Sequence, residues 1–328
     1  MSGEKKRLII IDSNAIVHRA FHALPPLTTK AGEAVGAIYG FLLFFLKAIK
    51  EFNPDFIAAA FDFPAPTFRH QKYKLYKATR ERAPDELYAQ IPKVKEALEK
   101  IGVCVFEEKG YEADDIIGTI AKKVSKQENG VETLVLTGDL DTLQLVDDSI
   151  KVYALKRGIK DAVLYDEKKV EEKYEGLEPE QLVDFKALRG DPSDNIPGVF
   201  GVGEKTAISL IKEFGSLDDI YRELDQNSEK AGKIKSSLKE KLLKDKETAY
   251  ASRMLAEIDK AVPLDFDLTK CRWQGYDLKR VTEVLEKYNF RSLITRFSGP
   301  EQAEEKETKA PAAKKEAKTG NQNNLSLF

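Results

Sequence analysis

Acidic residues that follow apolar runs are the feature of this sequence with the clearest chemical meaning. Two of them, Asp12 and Asp62, follow the runs RLIII and FIAAAF. Five more lie in the stretch GYEADDIIGTIAKKVSKQENGVETLVLTGDLDTLQ, and these are Glu112, Asp114, Asp115, Asp139 and Asp141. Carboxylates gathered in one place cannot all stay ionised without cations, because each raises the pKa of its neighbours. Ligands of this type favour Mg²⁺ or Mn²⁺.

A βαβ arrangement would bring these acids together. Apolar residues at Ile116, Ile117, Ile120 and Val124 predict a helix that opens at the first acidic group, and the run 133–137 predicts a strand that ends at the second. The helix of a βαβ unit begins at the edge where the strands end, which is also where ligands bind in open α/β sheets. One such Asp is usually a cap or a turn residue. Seven at one edge favour a metal site.

The remaining elements of the first half predict an α/β fold with a mostly parallel sheet of about five or six strands and helices on both faces. The expected strands are residues 7–11, 56–61, 103–106, 133–137 and 150–154, and the expected helices follow Asp12, end at Phe52, and span 86–100 and 165–174. The alternation of strands and helices ends near residue 175. The rest of the chain is expected to be helical.

A basic segment with interleaved aromatic residues, FRHQKYKLYKATRER, follows the strand that ends at Asp62. Its cations are Arg69, Lys72, Lys74, Lys77, Arg80 and Arg82, and its aromatic residues include Tyr73 and Tyr76. Cations bind phosphates and aromatic rings stack on bases, which favours contact with single-stranded nucleic acid. The alternative is an ordinary solvated basic helix.

The second half opens with DFKALRGDPSDNIPGVFGVGEKTAISLIKEFG, in which Asp191 and Asp194 form a turn before a helix that starts near Glu204. Gly198, Gly201 and Gly203 precede that helix and would let its N-terminus approach a phosphate. Turns that join helices also contain glycine, so this spacing alone is weak evidence. The two aspartates are candidates for a second group of metal ligands. The lysine-rich segment 228–246 is expected to be one helix that contacts duplex phosphate or solvent.

Composition excludes several other classes of protein. The chain has 328 residues, a net charge of −2 and 42% hydrophobic residues, which suit a globular protein. Cys104 and Cys271 are far apart in sequence and form no CxxC, so no disulfide framework or zinc site is expected. The apolar stretch 34–46 is too short to cross a bilayer, and the first residues are not a secretory signal. We therefore expect a cytoplasmic protein, associated with the nucleoid and without membrane contact.

The motifs IDSNAIVHRAFHAL, FDFPAPTFRHQKYKLYKATR, YEADDIIGTIA, TGDLDTLQL and KALRGDPSDNIPGVFGVGEKTA together resemble the 5′-nuclease domain of bacterial DNA polymerase I, in the flap endonuclease superfamily. The resemblance implies a PIN-like catalytic domain over residues 1–175, with an arch at about 64–90. It also implies a helical DNA-binding domain of helix-hairpin-helix type over 176–298, followed by a disordered tail over 299–328. The nine acids that the resemblance assigns to a two-metal site are Asp12, Asp62, Glu112, Asp114, Asp115, Asp139, Asp141, Asp191 and Asp194.

The resemblance also implies an activity and the residues that support it. The implied enzyme is a 5′-3′ exonuclease and 5′-flap endonuclease of nicked, gapped or flapped duplex DNA that removes RNA primers with two Mg²⁺ ions, or with Mn²⁺ in their place. The implied catalytic residues are Arg19, Tyr76, Lys77 and Arg80. The implied DNA contacts are Arg69, Lys72, Lys74, Arg82, Gly198, Gly201, Gly203, Lys205 and Thr206, with K⁺ at the hairpin. A monomer is expected.

Two other functions stay open. A non-catalytic DNA-binding scaffold at replication intermediates would be marked by loss of acidic ligands, and all nine positions are acidic. An RNA-processing nuclease of the smaller PIN-like folds typically lacks an arch and a hairpin module.

Three departures from the family pattern are visible. Leu140 stands where the family usually has lysine, Phe200 often corresponds to proline, and no polymerase sequence follows. If Phe328 ends the protein, we expect a free-standing nuclease.

The tail closes in QNNLSLF, which resembles peptides that dock on sliding clamps, with Asn324 where glutamine usually precedes the first leucine. The expected clamp contacts are Gln322, Leu325, Leu327 and Phe328.

Overall fold

The computed structural model describes residues 5–127, 130–158, 161–273, 275 and 277–298. Within these residues, six strands form one sheet, and they are β1 (Lys6–Asp12), β2 (Phe56–Ala60), β3 (Cys104–Phe106), β4 (Val131–Thr137), β5 (Ile150–Arg157) and β6 (Asp161–Tyr165). Their order is β3-β2-β1-β4-β5-β6. The first five are parallel to their neighbours, and β6 runs antiparallel to β5. The predicted α/β class with a mostly parallel sheet is confirmed.

Helices cover both faces of the sheet. Those of the first half are α1 (Ser13–Ala23), α2 (Gly36–Phe52), α3 (Phe68–Lys72), α4 (Asp85–Tyr88), α5 (Ile91–Ile101), α6 (Ala113–Gln127) and α7 (Glu167–Lys173). Alternate residues of β1 enter opposite cores, because successive side chains of a strand point to opposite faces. Leu8 and Ile10 pack in the core of α6, whereas Ile9 and Ile11 pack in the core of α1, α2 and α5.

The helical half contributes to both of these cores. Its helices are α8 (Leu182–Arg189), α9 (Glu204–Phe214), α10 (Leu217–Asp225), α11 (Glu229–Gly232), α12 (Ser236–Lys244), α13 (Lys246–Ala256), α14 (Leu278–Lys287) and α15 (Arg291–Ser298). Residues of α8 to α12 share the core of α6, while Val281 and Leu293 share the core of α2. The packing is therefore continuous across residue 175, and the predicted division into domains stays a prediction.

The register of the parallel strands explains why the acids meet. Asp12 pairs with Ala60 and Ile11 pairs with Leu136, so β1, β2 and β4 end at the same edge. Asp12 is the last residue of β1, Asp62 follows β2, and Asp139 follows β4. The helix α6 begins at that edge with Asp114 and Asp115 in its first turn. The edge predicted from the sequence is thus the edge that the fold forms.

Three predicted helices have different bounds. The helix expected over 86–100 is divided into α4 and α5, because Pro92 occupies the first turn of α5 and the buried side chain of Gln90 accepts hydrogen bonds from Ala37 N and Ile38 N at the start of α2. The helix expected over 165–174 begins only after Asp166, whose side chain caps α7, and Tyr165 ends β6. The helix expected over 228–246 is interrupted by turns between α11, α12 and α13.

Two further expectations concern cysteines and membranes. Cys104 Sγ donates to Lys270 O at 3.1 Å, so the fold brings the two cysteines, distant in sequence, beside one another as free thiols. Burial, followed by the neighbouring Cys104, raises the pKa of Cys271. Among the helices in the described ranges, none is long and apolar enough to span a bilayer.

Candidate active site

A cleft of about 370 Å³ opens at the carboxyl edge of the sheet. Its acidic lining consists of Asp12, Asp62, Glu112, Asp114 and Asp139, and its basic lining includes Arg19, Lys77 and Arg80. His18 and His22 of α1 also line it. Five of the seven acids inferred from strand ends and the α6 start therefore share one cleft.

Backbone and hydroxyl donors hold the individual carboxylates in place. Asp12 caps α1 by accepting from Ala15 N at 3.1 Å, and Thr137 Oγ1 donates to its other oxygen at 2.5 Å. Ala113 N, at the start of α6, donates to Asp62 Oδ1 at 2.8 Å. Asp12 and Asp62 thus accept hydrogen bonds from the first residues of helices, as aspartates commonly do, and they also belong to the cluster of carboxylates.

The electrostatics of the cleft disfavour full ionisation. Burial, followed by the charges of Asp62 and Asp139, raises the pKa of Asp12 to about 7. Burial and the charge of Asp139 raise the pKa of Asp141 to about 7 as well, even though Lys186 opposes the shift. Burial and three neighbouring aspartates raise the pKa of Asp114 well above its ordinary value. Divalent cations would favour the ionised forms.

Cations from the chain itself neutralise the acids at the rim of the cleft. Lys77 Nζ donates to Glu112 Oε1 at 2.8 Å, and Arg80 pairs with Asp194. Lys186 Nζ donates to Asp191 Oδ2 at 2.8 Å and also pairs with Asp141. Burial would raise the pKa of Asp191, but Lys186 and Ser193 lower it to about 2. Asp194 thus adjoins the cleft through its ion pair with Arg80, and Asp141 adjoins it through the hydrogen bond from its backbone N–H to Asp139. Asp191 is connected to Asp141 by Lys186.

These ion pairs affect how a metal would bind. Over the described residues, no group of three or more histidine, cysteine, aspartate or glutamate side chains has the arrangement of a metal site. Lysine and arginine groups lie between the carboxylates at the distances given above. The donor set, carboxylate oxygens with pKa values raised by one another, fits a hard divalent cation once such a cation replaces these ammonium and guanidinium partners.

Asp115 lies apart from the cleft and forms a fully buried ion pair with Arg69. The guanidinium donates to both carboxylate oxygens at 2.7 Å, and Glu112 N and Asp259 N donate to the same carboxylate. Arg69 also donates to Leu255 O and to Glu257 O. The expectation that Arg69 contacts DNA is wrong, because its side chain is 3% exposed. Four hydrogen bonds to the Asp115 carboxylate leave it poorly suited to ligate a metal.

The other residues of the segment after Asp62 differ in their exposure to solvent. Lys72, Lys74, Arg80 and Arg82 are exposed, as a nucleic-acid surface requires. Tyr76 is buried and its hydroxyl donates to Glu112 at 3.1 Å and to Asp194 at 3.3 Å. Of this segment, only α3 is helical in the structure. The alternative interpretation, one solvated basic helix, therefore does not describe it.

The turn that carries Asp191 and Asp194 is fastened to that same segment. Lys77 N donates to Asp194 O at 2.9 Å, and Asn195 Nδ2 donates to Leu75 O at 2.7 Å. Arg19, on α1, donates to Gly138 O at 2.9 Å and also lines the cleft. Of the catalytic candidates from the resemblance, Arg19, Lys77 and Arg80 thus line one cleft, and Tyr76 reaches its lining residue Glu112 through a hydrogen bond.

The glycines before α9 differ in their surroundings. Gly198 is buried with φ +65°, and a Cβ there would meet Gly190 N at 2.3 Å, so its role is close backbone packing. Gly203 caps α9 and has open space around its Cα, while Gly201, Gly203 and Lys205 are exposed and Thr206 is half-buried. The end of α9 is exposed, as a phosphate contact would require, whereas Gly198 is buried in backbone packing, and the predicted contact stays a prediction.

Two features of the site were not predicted from the sequence. Lys186 is the first residue of the motif KALRGDPSDNIPGVFGVGEKTA, but its position in the sequence does not reveal that its side chain pairs with both Asp141 and Asp191. A second cavity of about 840 Å³ adjoins the cleft and is lined by Phe63, Tyr88 and Tyr111 together with residues of the basic segment. Tyr88 and Tyr111 lie 23 residues apart, so no local pattern would have joined them.

Known protein families match the chain along most of its length. Residues 7–175 match the model described as "5'-3' exonuclease, N-terminal resolvase-like domain", and residues 177–279 match "5'-3' exonuclease, C-terminal SAM fold". DNA polymerase I of Bacillus subtilis is 40% identical over 92% of this chain and 33% of its own length. The thermostable DNA polymerase I of Thermus thermophilus is 41% identical over 92% of this chain and 34% of its own length. The chain thus spans about a third of these relatives.

Solved structures with the same fold include two nucleases. A structure of T5 5′-exonuclease with bound divalent metal ions (zinc) has a TM-score of 0.62 and 22% identity, covering 90% of this chain and all of its own. The catalytic core of Rad2 in complex with DNA substrate has a TM-score of 0.57 and 18% identity, covering 87% of this chain and 88% of its own. At these identities the likeness establishes the fold alone.

The buried ion pair yields a prediction about stability. Arg69→Met should lower the free energy of unfolding by about 3–5 kcal/mol, because Asp115 would keep a buried charge without its partner. The measurement is urea unfolding followed by circular dichroism. Arg82→Met is the matched control in the same segment, since Arg82 pairs with Asp85 at the surface and should cost no more than about 1 kcal/mol. Equal losses from both variants would contradict the prediction, and Arg69→Met with Asp115→Asn should cost less than the sum of the two single changes.

Proposed function

The chain belongs to the 5′-3′ exonuclease family, and from this premise we propose that it is a structure-specific, metal-dependent nuclease. It removes 5′ flaps and 5′-terminal nucleotides, including RNA primers, from nicked or gapped duplex DNA during replication and repair. It acts as a monomer on the chromosome in the cytoplasm.

One observation carries the proposal. Five carboxylates and three cations of the family motifs line the same cleft, although they come from β1, β2, α6, the β4 end and the arch. A phosphodiester needs both kinds of group, since negative charge develops on its oxygens while a nucleophilic water must be activated. Raised pKa values at Asp12, Asp114 and Asp141, which lie on three separate elements, are typical of a functional site.

Mg²⁺ is the cation that suits the carboxylates of the cleft, with Mn²⁺ as a substitute. The residues that would hold it are Asp12, Asp62, Glu112, Asp114 and Asp139, and the ion-paired Asp141, Asp191 and Asp194 would complete a second position. A pair of ions bound there would lower the pKa of a water molecule and offset charge on the scissile phosphate. The divalent metal ions (zinc) bound to T5 5′-exonuclease, which shares the fold, support a divalent cation at this position.

The residues of the chain divide the remaining work. Lys77 and Arg80 lie on the open side of the cleft, where they would hold the scissile phosphate and offset its developing charge. Tyr76 orients Glu112 and Asp194 through its hydroxyl. Arg19 lies on the opposite wall and would contact a neighbouring phosphate. These roles need no proton transfer by a side chain, because all three cations act by position and charge.

DNA contacts extend from the cleft to both sides. Lys72, Lys74 and Arg82 are exposed on the arch and suit the single-stranded flap. The exposed N-terminus of α9, with Gly201, Gly203, Lys205 and Thr206, suits the phosphates of the duplex. A K⁺ ion held at this hairpin would supply further positive charge for the phosphates. The catalytic core of Rad2, which shares the fold, is in complex with DNA substrate, and this supports DNA as the ligand.

We also propose that the tail binds a sliding clamp. The proposed contacts, Gln322, Leu325, Leu327 and Phe328, lie outside the described residues. Large apolar residues at the end of a polar segment suit an apolar pocket of a partner, and such tethering would raise the local concentration of the nuclease on DNA.

A cleavage assay tests the proposed function. The full chain should cut a 5′-labelled flap duplex in Mg²⁺, lose the activity in EDTA, and recover it in Mn²⁺. Asp114→Asn should abolish cleavage and retain flap binding, because an amide is a poor ligand for a hard cation but keeps the shape of the side chain. Flap binding without any cleavage by the unmodified chain would overturn the proposal and favour the non-catalytic scaffold.

The roles of the arch cations can be separated from general binding. Lys77→Ala with Arg80→Ala should slow single-turnover cleavage by about a hundredfold or more, because both groups offset transition-state charge. Lys239→Ala with Lys241→Ala, which removes the same charge from the half-buried Lys239 and the exposed Lys241 on α12, should cause only a salt-dependent loss of affinity. If both double variants slowed single-turnover cleavage equally at saturating enzyme, Lys77 and Arg80 would not belong to the active site.

A pH dependence follows from the carboxylates. The pKa of Asp12 rises from its ordinary 3.8 to about 7 on folding, so its ionisation destabilises the metal-free fold as pH rises between these values. In EDTA, Asp12→Asn should therefore unfold at the same temperature as the unmodified chain near pH 4 and at a higher temperature at pH 8. The exposed Asp265→Asn is the control. A difference that is constant with pH would contradict the shift.

The clamp proposal has its own measurement. A fluorescent peptide of residues 319–328 should bind the clamp of the same organism, and a peptide with Leu327→Ala and Phe328→Ala should bind at least about tenfold more weakly, since each large apolar side chain contributes roughly 1.5–3 kcal/mol on burial. Equally weak binding by both peptides would refute this contact.

A further inference from the structure

Lys186 connects the two segments of the chain that match separate family models. It lies on α8, and its Nζ donates to Asp191 Oδ2 at 2.8 Å and pairs with Asp141 Oδ1. Asp141 falls in the segment 7–175 and Asp191 in the segment 177–279. The Lys186 side chain is 15% exposed, so water screens this bridge only weakly.

The bridge supplies positive charge at a corner of the cleft that otherwise contains acids. Asp141 follows Leu140, a partly buried residue that packs against the apolar core and brings no charge. Asp139 stands two residues from Asp141 and hydrogen-bonds its backbone, Asp141 N donating to Asp139 Oδ1 at 3.0 Å. Without Lys186, Asp139, Asp141 and Asp191 would face one another with little compensation.

We propose that Lys186 is a positioning residue whose ammonium group holds Asp141 and Asp191 together where the second divalent ion binds, so that this ion must displace it. The inference rests on the proposed function. One ammonium group aligns the two carboxylates before metal binding, and it competes with the ion for the same oxygens. Lys186 therefore stabilises the metal-free cleft and weakens the second metal site.

Competition follows from charge and geometry. A carboxylate oxygen that accepts a short hydrogen bond from an ammonium group has less electron density for a metal, and a cation that enters beside Lys186 is repelled by it. When the ion replaces the ammonium group, Lys186 is released toward the open side of the cleft, where a phosphate would bind. The first ion, among Asp12, Asp62, Glu112 and Asp114, meets no competition from Lys186, because Lys186 does not line the cleft. The ammonium group that it meets there is Lys77, which pairs with Glu112.

The experiment measures Mn²⁺ binding to the full chain without DNA, by electron paramagnetic resonance of the free ion. The unmodified chain should bind one ion tightly and a second more weakly. Lys186→Met keeps the length of the side chain without its charge, and it should tighten the second site by about tenfold, as expected for one fewer positive charge within a few ångströms. Lys186→Arg should restore weak binding. Lys126→Met, at the exposed far end of α6, should leave both sites unchanged.

A second readout separates competition from a general structural role. In EDTA, Lys186→Met should have a lower melting temperature than the unmodified chain, and at saturating Mn²⁺ the difference should disappear because the ion replaces the missing charge. Lys186→Gln repeats both measurements if Lys186→Met does not fold. Second-site binding that is unchanged or weaker in the folded neutral variant would overturn this inference and leave the proposed function intact. Absence of any Mn²⁺ binding by the unmodified chain would instead overturn the proposed function.

Discussion

Mutual repulsion among carboxylates at the end of a parallel sheet is the constraint on which the rest of this structure depends. The sheet brings Asp12, Asp62 and Asp139 to one edge through its register, and the first turn of α6 adds Asp114, with Glu112 directly before the helix. In the absence of other charges, such an edge would destabilise the fold. Cations from outside the sheet neutralise these acids by forming ion pairs with them. Arg69, Lys77 and Arg80 come from the segment after Asp62, and Lys186 comes from the helical half. The negative charge of the edge is therefore neutralised only when these outer segments pack against the sheet and complete the cleft.

Much of this organisation could be predicted from the sequence, because strands and helices follow hydrophobic periodicity. Runs such as RLIII and FIAAAF predicted the strands, and the acid after each run predicted the edge. Pairing between side chains could not be read in the same way. Arg69 was grouped with the surface cations since composition records the sign of a charge and not its partner, and its acceptors Leu255 O and Glu257 O lie more than 180 residues further on. Lys186 escaped notice for the same reason. The break between α4 and α5 depended on Gln90, whose buried amide serves another helix.

The buried and partly buried ion pairs of the site fall into two kinds with different physical characters. Arg69 and Asp115 form a closed unit, in which both oxygens and several backbone groups are satisfied, so exchange with a metal would cost all of those bonds. Lys77, Arg80 and Lys186 hold their partners through fewer bonds and retain contact with solvent. The first arrangement suits permanent architecture, and the second suits charges that change partners when a cation or a phosphate enters.

Helices α14 and α15 belong to the same core as β1, with Val281 and Leu293 packed among residues that include Ile9. This topology has a consequence during synthesis on the ribosome. The core that contains Ile9 of β1 cannot be completed until residue 293 has left the exit tunnel. The segment that carries Lys77 and Arg80 can form its hydrogen bonds to residues 194 and 257 only when those residues have emerged. Contacts at such long sequence separation form late in folding. A nascent chain therefore has an incomplete cleft, and the protein becomes competent only after nearly all of its described length has been translated.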